Sequence, residues 1–326
     1  MKINKIFDRV KGKKVIIVGD AMIDSYTLGK IERKSPEAPV PIINVKKEKI
    51  KLGGAANVAL NIKNIGLEPV LCTIIGQDSE GQDFIKLCKK NNLYTNGIII
   101  DGSRKTTNKN RVIVDDKHIV RIDSEDTHNI DKKLRNEFLE IINKEAKTSE
   151  IIIFQDYDKG TLDRHVINEI INENKNAFIS VDPKNRNFFN YKNVDLFKPN
   201  LKEILEAFNS IDSSEKNLEE MSKELSAKSK INNIMITLSE KGLMIQNDKD
   251  NFISKTTTKE IIDVSGAGDT VISLATILFY LKLPEKFIGE MCNLAGGITC
   301  MKSGVNAIDL KELLKNAEIN NLDIYL

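Results

Sequence analysis

The sequence predicts an α/β protein in which helices cover both faces of a mostly parallel sheet, with a small second β-layer. The first observation is that short apolar runs alternate with segments of helical spacing along most of the chain. Strands that alternate with helices form parallel sheets with two buried faces. Two further observations are that polar residues follow the apolar runs, and that two segments of strand-like patterning interrupt the alternation.

The apolar runs predict the strands of the main sheet, and helical spacing predicts the segments between them. Val58, Ile62 and Ile65 recur at helical intervals, and Gly66 then provides a residue typical of helix ends. The predicted strands are residues 15–18, 70–75, 97–100, 151–154, 178–181 and 234–238, and the first predicted helices are residues 54–65 and 84–90.

Polar side chains stand at the points where the predicted strands end. They are Asp20, Asp156, Asp182, Asn200 and Ser239. Because ligands of open α/β sheets bind beyond the carboxyl ends of the strands, these residues predict one shared crevice.

Two segments interrupt the alternation and predict a small β-layer. Residues 26–45 contain three prolines and no helical period, and residues 111–123 read as two short strands around a turn that contains Asp116. We expect a lid over the crevice, with segments at about residues 22–46 and 107–123. The alternative is a long surface loop with an isolated hairpin, which would be only marginally stable alone.

Composition gives no indication of a nucleic-acid or membrane partner. The 49 basic and 47 acidic residues leave a net charge of +2, which provides no overall attraction to nucleic acid. No apolar run has the length of a membrane span, and the N-terminal residues do not resemble a signal peptide. We therefore expect a cytoplasmic protein with a single domain, residues 1–326, and four reduced, buried cysteines.

A glycine-rich loop is the main candidate for catalysis. Residues 263–270 read Asp-Val-Ser-Gly-Ala-Gly-Asp-Thr, and a long uncharged run follows. Glycines let the backbone approach a ligand, and amides at a helix start attract an anion. We expect the amides of Gly266, Ala267 and Gly268 to stabilise a phosphoryl group while Asp269 takes a proton from a hydroxyl. The alternative is a glycine turn in which Asp269 only caps the helix.

This loop does not match the common nucleotide-binding motifs. The chain has no G-x-x-x-x-G-K-[ST] loop, and Val271 stands where a dinucleotide fingerprint beginning at Gly266 needs its third glycine. We therefore do not expect a dehydrogenase.

A glycine-rich helix start is a candidate sugar site. Gly53 and Gly54 leave room for a ligand against the backbone, and Asn57 can donate to and accept from sugar hydroxyls. A tightly packed helix start is the alternative. Asp20 and Asp24, which bracket the end of the first strand, also suit a polyol, with a simple cap as the alternative for one of them.

Basic residues and a capping motif complete the candidates. Lys109, Arg111 and Lys184 suit a phosphorylated substrate if they converge on the crevice, although each alone is typical of a solvated surface. Asn200 and Glu203 have the spacing of a capping box. The functional alternative places Glu203 near the Mg²⁺ that accompanies ATP.

Three motifs in this order resemble the ribokinase-like PfkB carbohydrate kinases. They are Gly-Gly-Ala-Ala-Asn at 53–57, Pro-Asn-Leu-Lys-Glu at 199–203 and Asp-Val-Ser-Gly-Ala-Gly-Asp-Thr at 263–270. Within that family, residues 19–24, 35–41, 156–160 and 182–184 resemble the D-glycero-β-D-manno-heptose 7-phosphate kinases. The Ser-Pro-Glu-Ala-Pro-Val-Pro stretch at 35–41 is the most discriminating of these, and the similarity runs from about residue 15 to residue 304.

The resemblance implies a ribokinase-like three-layer fold and transfer of the ATP γ-phosphate to the C1 hydroxyl of the heptose 7-phosphate. The product would be heptose 1,7-bisphosphate, which serves the synthesis of lipopolysaccharide-core precursors. The resemblance also implies Mg²⁺, leaves an activating monovalent cation open, and implies a homodimer formed through the β-lid.

The resemblance further assigns roles to single residues. Asp269 would be the base, and the amides of Gly266, Ala267 and Gly268 would form the anion hole. The residues that would contact ATP are Asn200, Leu201, Lys202, Glu203, Ser239 and Asn293, with Glu203 beside Mg²⁺. Those that would contact sugar hydroxyls are Asp20, Asp24, Gly53, Gly54 and Asn57. The substrate phosphate would contact Lys109, Arg111 and Lys184.

The chain also departs from the family pattern. Lys34, Gln155 and Asn185 stand where the family usually has an apolar residue, a serine and a glycine. The chain ends at Leu326, where many relatives continue into a nucleotidyltransferase domain, so we expect another protein to perform the adenylylation step. Two alternatives remain, another sugar or sugar-phosphate kinase on the same scaffold and a non-catalytic sugar-phosphate sensor.

Overall fold

The computed structural model of the chain describes residues 2–115, 117–248, 251–256 and 261–326, so Asp116 of the predicted hairpin turn lies outside it. Within these ranges the chain forms a nine-stranded sheet, a four-stranded sheet and α-helices. This arrangement confirms the α/β class and the small second β-layer.

The elements are numbered in chain order. The strands are β1 (Lys14–Gly19), β2 (Ala21–Lys34), β3 (Pro41–Gly54), β4 (Glu68–Gly76), β5 (Ile98–Asp101), β6 (Asn108–Val114), β7 (Lys117–Ser124), β8 (Ile151–Gln155), β9 (Phe178–Asp182), β10 (Leu196–Phe197), β11 (Asn233–Thr237), β12 (Leu243–Asn247) and β13 (Asn251–Ser254). The α-helices are α1 (Ala55–Ile65), α2 (Ser79–Lys90), α3 (Lys132–Ala146), α4 (Arg164–Glu173), α5 (Leu201–Ala207), α6 (Glu215–Ser229), α7 (Ala267–Tyr280), α8 (Glu285–Cys300) and α9 (Leu310–Ile319).

The larger sheet has the strand order β13-β12-β11-β10-β9-β8-β1-β4-β5. All neighbouring strands from β5 across to β11 pair in parallel. Strand β12 pairs antiparallel with β11, and β13 pairs antiparallel with β12. In β1, Val15 and Ile17 belong to one core cluster, and Ile16 and Val18 belong to a second cluster on the other face. Burial on both faces explains why these strands read as continuous apolar runs.

Most predicted elements are present with shifted bounds. Helix α1 begins one residue late because Gly54, at a φ of 56°, is its N-cap, and it ends at the left-handed Gly66. Helix α2 begins early, at Ser79, because the Asp78 side chain caps it. The sequence patterns do not reveal β10, which has only two residues, or the antiparallel strands β12 and β13.

The smaller sheet, with the order β3-β2-β6-β7, contains both segments that interrupt the alternation. Strands β2 and β3 are antiparallel and have 14 residues each, and β2 also pairs in parallel with β6. Pro36 and Pro39 lie between β2 and β3, and Pro41 takes the first position of β3, where a strand tolerates the missing N–H. The alternative of a long loop with an isolated hairpin is therefore wrong, while the role of a lid stays a prediction.

Three of the four cysteines are buried as expected. Cys72, Cys88 and Cys292 are free and buried, and Cys300 is free and half-buried. In the ranges given above, no helix is both long and apolar enough to cross a bilayer.

Candidate active site

Four neighbouring parallel strands bring polar side chains to one edge of the larger sheet. Strand β1 is followed by Asp20, β8 ends at Gln155, β9 ends at Asp182, and β10 is followed by Lys198. Helix α7 starts at the same edge, since Asp269 in its first turn accepts a hydrogen bond from Gln155 Nε2 at 3.2 Å. The carboxyl ends of these strands therefore carry a cluster of polar groups, and the shared crevice stays a prediction.

The carboxylate of Asp269 is the centre of this cluster. It is 2% exposed. Its Oδ2 accepts a hydrogen bond from Asn57 Nδ2 at 2.8 Å, and its Oδ1 accepts from the Tyr157 hydroxyl at 2.9 Å as well as from Gln155. Three side chains from two separate segments, the start of α1 and the end of β8, thus fix its orientation. The N-cap of α7 is Gly266, so the alternative that Asp269 serves only as a helix cap is wrong.

Burial raises the pKa of Asp269 to about 7. The hydrogen bond from Asn57 lowers the pKa and the charge of Asp182 raises it further, but burial is the main cause. A base with a pKa near neutrality can both hold and release a proton at physiological pH, which is the property that general base catalysis needs.

The glycine loop in front of α7 has a backbone that only glycine adopts easily. Gly266 has a φ of 83°, and a Cβ there would lie 2.9 Å from Asn57 Nδ2. The amide of Ala267 donates to the Val264 carbonyl at 3.3 Å. Gly268 is the second residue of α7, so its amide is one of the helix-start amides that attract anions.

A cavity of about 280 Å³ opens beside this loop. Ala267, Gly268, Ser239 and Asn293 line it, so three predicted features, the loop, the residue after β11 and the asparagine of α8, meet there. The Asn293 side chain donates to the Ser254 carbonyl at 2.8 Å, which ties α8 to β13. The remaining lining residues include apolar and small side chains of α7, α8 and the segment before α7, which suit a flat apolar group.

The motif at 199–203 forms a complete capping box at the start of α5. Asn200 Oδ1 accepts from the Glu203 amide, and Glu203 Oε2 accepts from the Asn200 amide, both at 2.8 Å. The other oxygen of Glu203 contacts the Lys184 ammonium. The capping interpretation is therefore confirmed. Leu201 and Lys202 belong to the first turn of the same helix, and Lys202 Nζ lies 3.5 Å from Glu206 at the surface.

The described ranges contain no cluster of three or more His, Cys, Asp or Glu residues that would hold a metal by protein ligands alone. Mg²⁺ in kinases is usually held by one or two carboxylates together with substrate phosphates. Glu203, which is buried beside the crevice, and Asp182 at the end of β9 are carboxylates of this kind. In the free protein Glu203 contacts the Asn200 amide and Lys184, and Asp182 contacts Lys198 and Gln155. They fit a Mg²⁺ ion that arrives with a nucleotide if the ion takes the place of the contact between Glu203 and Lys184.

The predicted sugar-binding residues lie together, but two of their carboxylates already have partners. Asp20 accepts hydrogen bonds from the amides of Tyr157 and Lys159 at 2.8 and 3.0 Å. It thereby fixes the segment that places the Tyr157 hydroxyl on Asp269. Asp24 on β2 forms an ion pair with Arg111 on β6. Burial raises the pKa of Asp24, and the Arg111 charge opposes this rise.

Two glycines make the approach of β3 to these carboxylates possible. A Cβ on Gly53 would lie 2.0 Å from Asp24 Oδ2, and a Cβ on Gly54 would lie 2.5 Å from the Asp20 carbonyl oxygen. A larger residue at Gly53 would displace the Asp24 carboxylate, and one at Gly54 would clash with the backbone at Asp20. Packing therefore restricts both positions to glycine as long as these two acids keep their places.

The three predicted phosphate-binding cations each have an acidic partner. Arg111 pairs with Asp24, and Lys184 pairs with Glu203 and lies 5.5 Å from the Tyr157 ring centre. Lys109 lies 3.1 Å from Asp123 and 3.3 Å from Glu125. Lys184 is beside the cluster around Asp269, whereas Lys109 and Arg111 are on the smaller sheet. Their role with a substrate phosphate stays a prediction.

Sequence reasoning missed three residues of the cluster. Tyr157 and Gln155 contact Asp269, and Lys198 lies 3.1 Å from Asp182. Gln155 is visible in the sequence only as a departure from the family serine. Lys198 follows the two-residue strand β10, which no periodic pattern could reveal.

Two buried acceptors in the cluster have no hydrogen-bond donor among the described residues. They are Asn57 Oδ1 and Gln155 Oε1. A buried acceptor without a donor costs about 1–3 kcal/mol, so such an atom calls for a donor from a ligand or a water molecule. Both side chains also donate to Asp269, so the missing donors would lie next to the base.

A larger cavity of about 790 Å³ lies at the opposite edge of the sheet, where β8 to β11 begin. Glu150, Asp195 and Asn232 are among its lining residues. None of the predicted site residues lines it, so its size alone gives no reason to place the reaction there.

Comparison with known proteins identifies the class that this fold and site define. The chain belongs to the pfkB family of carbohydrate kinases, whose pattern matches residues 13–311. It is therefore a phosphotransferase that acts on a sugar hydroxyl.

Among curated proteins, the chain is 37% identical over 303 residues to the "Bifunctional protein HldE" of Helicobacter acinonychis (strain Sheeba), with 92% of this chain covered. It is 35% identical over 305 residues to the protein of the same name from Aliarcobacter butzleri (strain RM4018), with 93% of this chain covered. The chain spans 65% and 64% of the length of these relatives.

Solved structures share the fold at low sequence identity. Phosphofructokinase-2 from Escherichia coli in complex with potassium has a TM-score of 0.77 at 14% identity, covering 94% of this chain and 99% of that one. Arabidopsis thaliana ribokinase complexed with ribose and ATP has a TM-score of 0.71 at 14% identity, covering 93% and 99%. The ribokinase-like fold is thereby confirmed.

Proposed function

We propose that the protein uses ATP to phosphorylate the C1 hydroxyl of D-glycero-β-D-manno-heptose 7-phosphate and releases heptose 1,7-bisphosphate and ADP. The observation that carries the reaction type is the buried Asp269 carboxylate, with a pKa of about 7, at the start of the glycine-led helix α7. The choice of sugar is supported by the motifs at 35–41 and 156–160 and by the similarity to HldE proteins.

The nucleotide occupies the 280 Å³ cavity and the sugar lies on the side of Asn57. The sugar hydroxyl oxygen attacks the γ-phosphorus, its proton moves to Asp269, and the bond to the ADP oxygen breaks. The amides of Gly266 and Gly268 stabilise the charge on the phosphoryl oxygens, and the Ala267 amide joins them by exchanging its contact with the Val264 carbonyl. Asn200, Leu201, Lys202, Ser239 and Asn293 surround the nucleotide. Glu203 would hold a Mg²⁺ ion, which would supply positive charge to the phosphates.

Sugar recognition uses the groups that border the base. Asn57 Oδ1 accepts from a sugar hydroxyl, which satisfies its missing hydrogen bond. Asp20 and Asp24, with the open backbone at Gly53 and Gly54, receive further hydroxyls. These contacts hold the C1 oxygen next to Asp269.

The substrate phosphate is bound by Arg111, assisted by Lys109 and Lys184. Binding requires Arg111 to exchange part of its contact with Asp24 for the phosphate, since the two are paired in the free protein. A guanidinium can contact both groups because it has five donors in a planar fork.

The smaller sheet is proposed to act as the lid and to pair two subunits. Successive strand residues point to opposite faces of a sheet, so Ser25 lies on the face opposite to its neighbour Asp24. We call this the outer face; Ser25 is paired there with Ile50 and Asn110. On that outer face Val120 and Ile122 are 49% and 56% exposed. Exposed apolar patches of this kind are typical of interfaces. The enzyme would work in the cytoplasm, without a nucleic-acid or membrane partner, in the synthesis of lipopolysaccharide-core precursors.

A second candidate is another sugar or sugar-phosphate kinase reaction on the same scaffold. It is favoured by Gln155 and Asn185, which depart from the family pattern. Of these two residues, Gln155 forms a hydrogen bond with the proposed base. A longer polar side chain there would change which hydroxyls fit. The sensor alternative has no such support, because a pure binder has no use for a buried base.

The proposal is tested by ADP formation from ATP with a panel of sugars under one set of conditions. The panel contains D-glycero-β-D-manno-heptose 7-phosphate, the unphosphorylated heptose, fructose 6-phosphate and ribose. We expect the heptose 7-phosphate to give the highest kcat/KM, and ³¹P NMR to show the new phosphate on C1. A higher kcat/KM for another sugar would replace the heptose by that sugar, and ADP formation that no sugar stimulates would refute the proposal.

A further inference from the structure

Lys198 is a buried lysine that none of the roles above uses. It follows β10, is 2% exposed, and its amide donates to the Val181 carbonyl at 2.8 Å. The ammonium is therefore held at the carboxyl edge of the sheet by strand pairing rather than by surface packing. In a chain with 49 basic residues, most of them at the surface, this burial needs an explanation.

The charge of Lys198 is only partly compensated by the protein. Within the described ranges its ion-pair partner is Asp182, whose Oδ1 lies 3.1 Å from Nζ. An ammonium has three donors and is costly to bury unless acceptors surround it. Asp182 also accepts a hydrogen bond from Gln155 at 3.2 Å, so it does not serve the lysine alone. The Lys198 ammonium can therefore donate to a second anion in addition to Asp182.

The ammonium lies against the start of α7. A Cβ on Gly268 would be 3.8 Å from Lys198 Nζ and 4.0 Å from Asp182 Oδ2. Gly268 lines the 280 Å³ cavity, as does Cys292. Burial raises the pKa of the Cys292 thiol, and the nearby charge of Lys198 opposes this rise. Both observations put the charge at the wall of the proposed nucleotide cavity, where the helix start also attracts an anion.

We infer that Lys198 binds the terminal phosphate of the nucleotide and holds the phosphoryl group during its transfer to the sugar, an inference that rests on the proposed function. The side chains then form a continuous row. Asp269 receives the proton, Gln155 hydrogen-bonds both Asp269 and Asp182, and Asp182 orients Lys198. The positive charge of the lysine neutralises part of the charge on the phosphoryl oxygens.

The other lysines near the crevice cannot replace it without breaking their own contacts. Lys184 pairs with Glu203, and Lys109 pairs with Asp123 and Glu125 on the smaller sheet. Lys198 is the one of these three cations that lies next to Gly268.

The test compares AMP-PNP, a non-hydrolysable ATP analogue, with ADP, because only the former has the terminal phosphate. Binding of both nucleotides is measured by calorimetry at the same excess of Mg²⁺ in the wild type and in Lys198→Met, which keeps an unbranched side chain but removes the ammonium. The control is Lys175→Met, an exposed lysine before β9 at the opposite edge of the sheet. We expect Lys198→Met to weaken AMP-PNP at least about tenfold and ADP less than about twofold, since a charge-assisted hydrogen bond to phosphate is lost.

Activity provides a second readout. We expect kcat of Lys198→Met to fall by about 10²–10³-fold, and Lys198→Arg to recover part of the loss because it restores the charge. Lys175→Met should match the wild type. An unchanged ratio of AMP-PNP to ADP affinity in folded Lys198→Met would overturn the inference and leave the residue as half of a structural ion pair.

Two further outcomes keep the test decisive. If Lys198→Met fails to fold because Asp182 is left unpaired, the double change of Asp182→Asn with Lys198→Met removes both charges, and its affinity ratio is measured instead. If no sugar of the panel is phosphorylated but the affinity ratio falls as expected, the phosphate contact stands and the proposed substrate is wrong.

Discussion

The two halves of the proposed site are built differently. On the larger sheet, Asp269 is buried and held by Asn57, Gln155 and Tyr157 in the free protein. On the smaller sheet, the cation Arg111 is held by an acid, Asp24, and the outer face exposes apolar residues. The first half is already arranged for proton transfer, whereas the second must exchange an ion pair before it can bind a phosphate.

This difference separates chemistry from specificity. Groups that several neighbouring side chains already hold in place need no rearrangement at the moment of reaction, and such preorganisation lowers the barrier. Groups that exchange partners can instead distinguish one substrate from another, because only a matching anion replaces the internal partner. Changes in the larger sheet should therefore affect kcat, and changes in the smaller sheet should affect the choice of substrate.

The largest effect is expected from Asp269→Asn. The change keeps the shape of the side chain but removes the base, so kcat should fall by about 10²–10⁴-fold while AMP-PNP still binds. Steady-state kinetics and calorimetry of the same preparation measure both quantities. Turnover close to that of the wild type in a folded variant would remove Asp269 from the mechanism.

A smaller effect is expected on assembly from charges on the outer face of the second sheet. Val120→Lys with Ile122→Lys should weaken the dimer at least about a hundredfold, because burying one such side chain contributes about 1.5–3 kcal/mol and each subunit loses two. Ile211→Lys, at a fully exposed residue away from that sheet, is the control. Sedimentation at micromolar concentration should show a dimer for the wild type and the control. A monomeric wild type would contradict the proposed pairing.

The smallest of the three effects is a change in specificity from Arg111→Ala. It should lower kcat/KM for heptose 7-phosphate at least about tenfold and scarcely affect the unphosphorylated heptose, because only the former loses a charged contact. Arg121→Ala is a matched control, since Arg121 is the cross-strand neighbour of Arg111 on β7. If the ratio of the two kcat/KM values does not change in Arg111→Ala, the phosphate is bound elsewhere.

The sequence is sufficient to predict the parallel strands but not the edges of the sheets. Strands such as β1 are buried on both faces, so they appear as unbroken apolar runs. Strand β10 has two residues, and the exposed outer halves of β2 and β3 carry a mixture of charges that hides their alternation. Their pairing depends on partners far away in the chain, which no local pattern contains.

The same reasoning separates the site residues that can be predicted from those that cannot. Asp269 and its glycines form a local motif, and Asn57 belongs to another. The pairing of Asp24 with Arg111 joins β2 to β6, and the contact of Lys198 with Asp182 joins β10 to β9, so both depend on the register of strands. Whether a charged residue is free for a ligand or already paired is therefore visible only in the structure.

The central claim is that a buried Asp269 accepts the proton, and the pH dependence of kcat tests it most directly. Since burial raises the pKa of Asp269 to about 7, the carboxyl is protonated and inactive below that value and becomes a base above it. We predict that kcat of the wild type rises about tenfold per pH unit below pH 7 and levels off above it, and that the residual activity of Asp269→Asn lacks this limb. A wild-type kcat that is flat from pH 5 to pH 8, or the same limb in Asp269→Asn, would contradict the account.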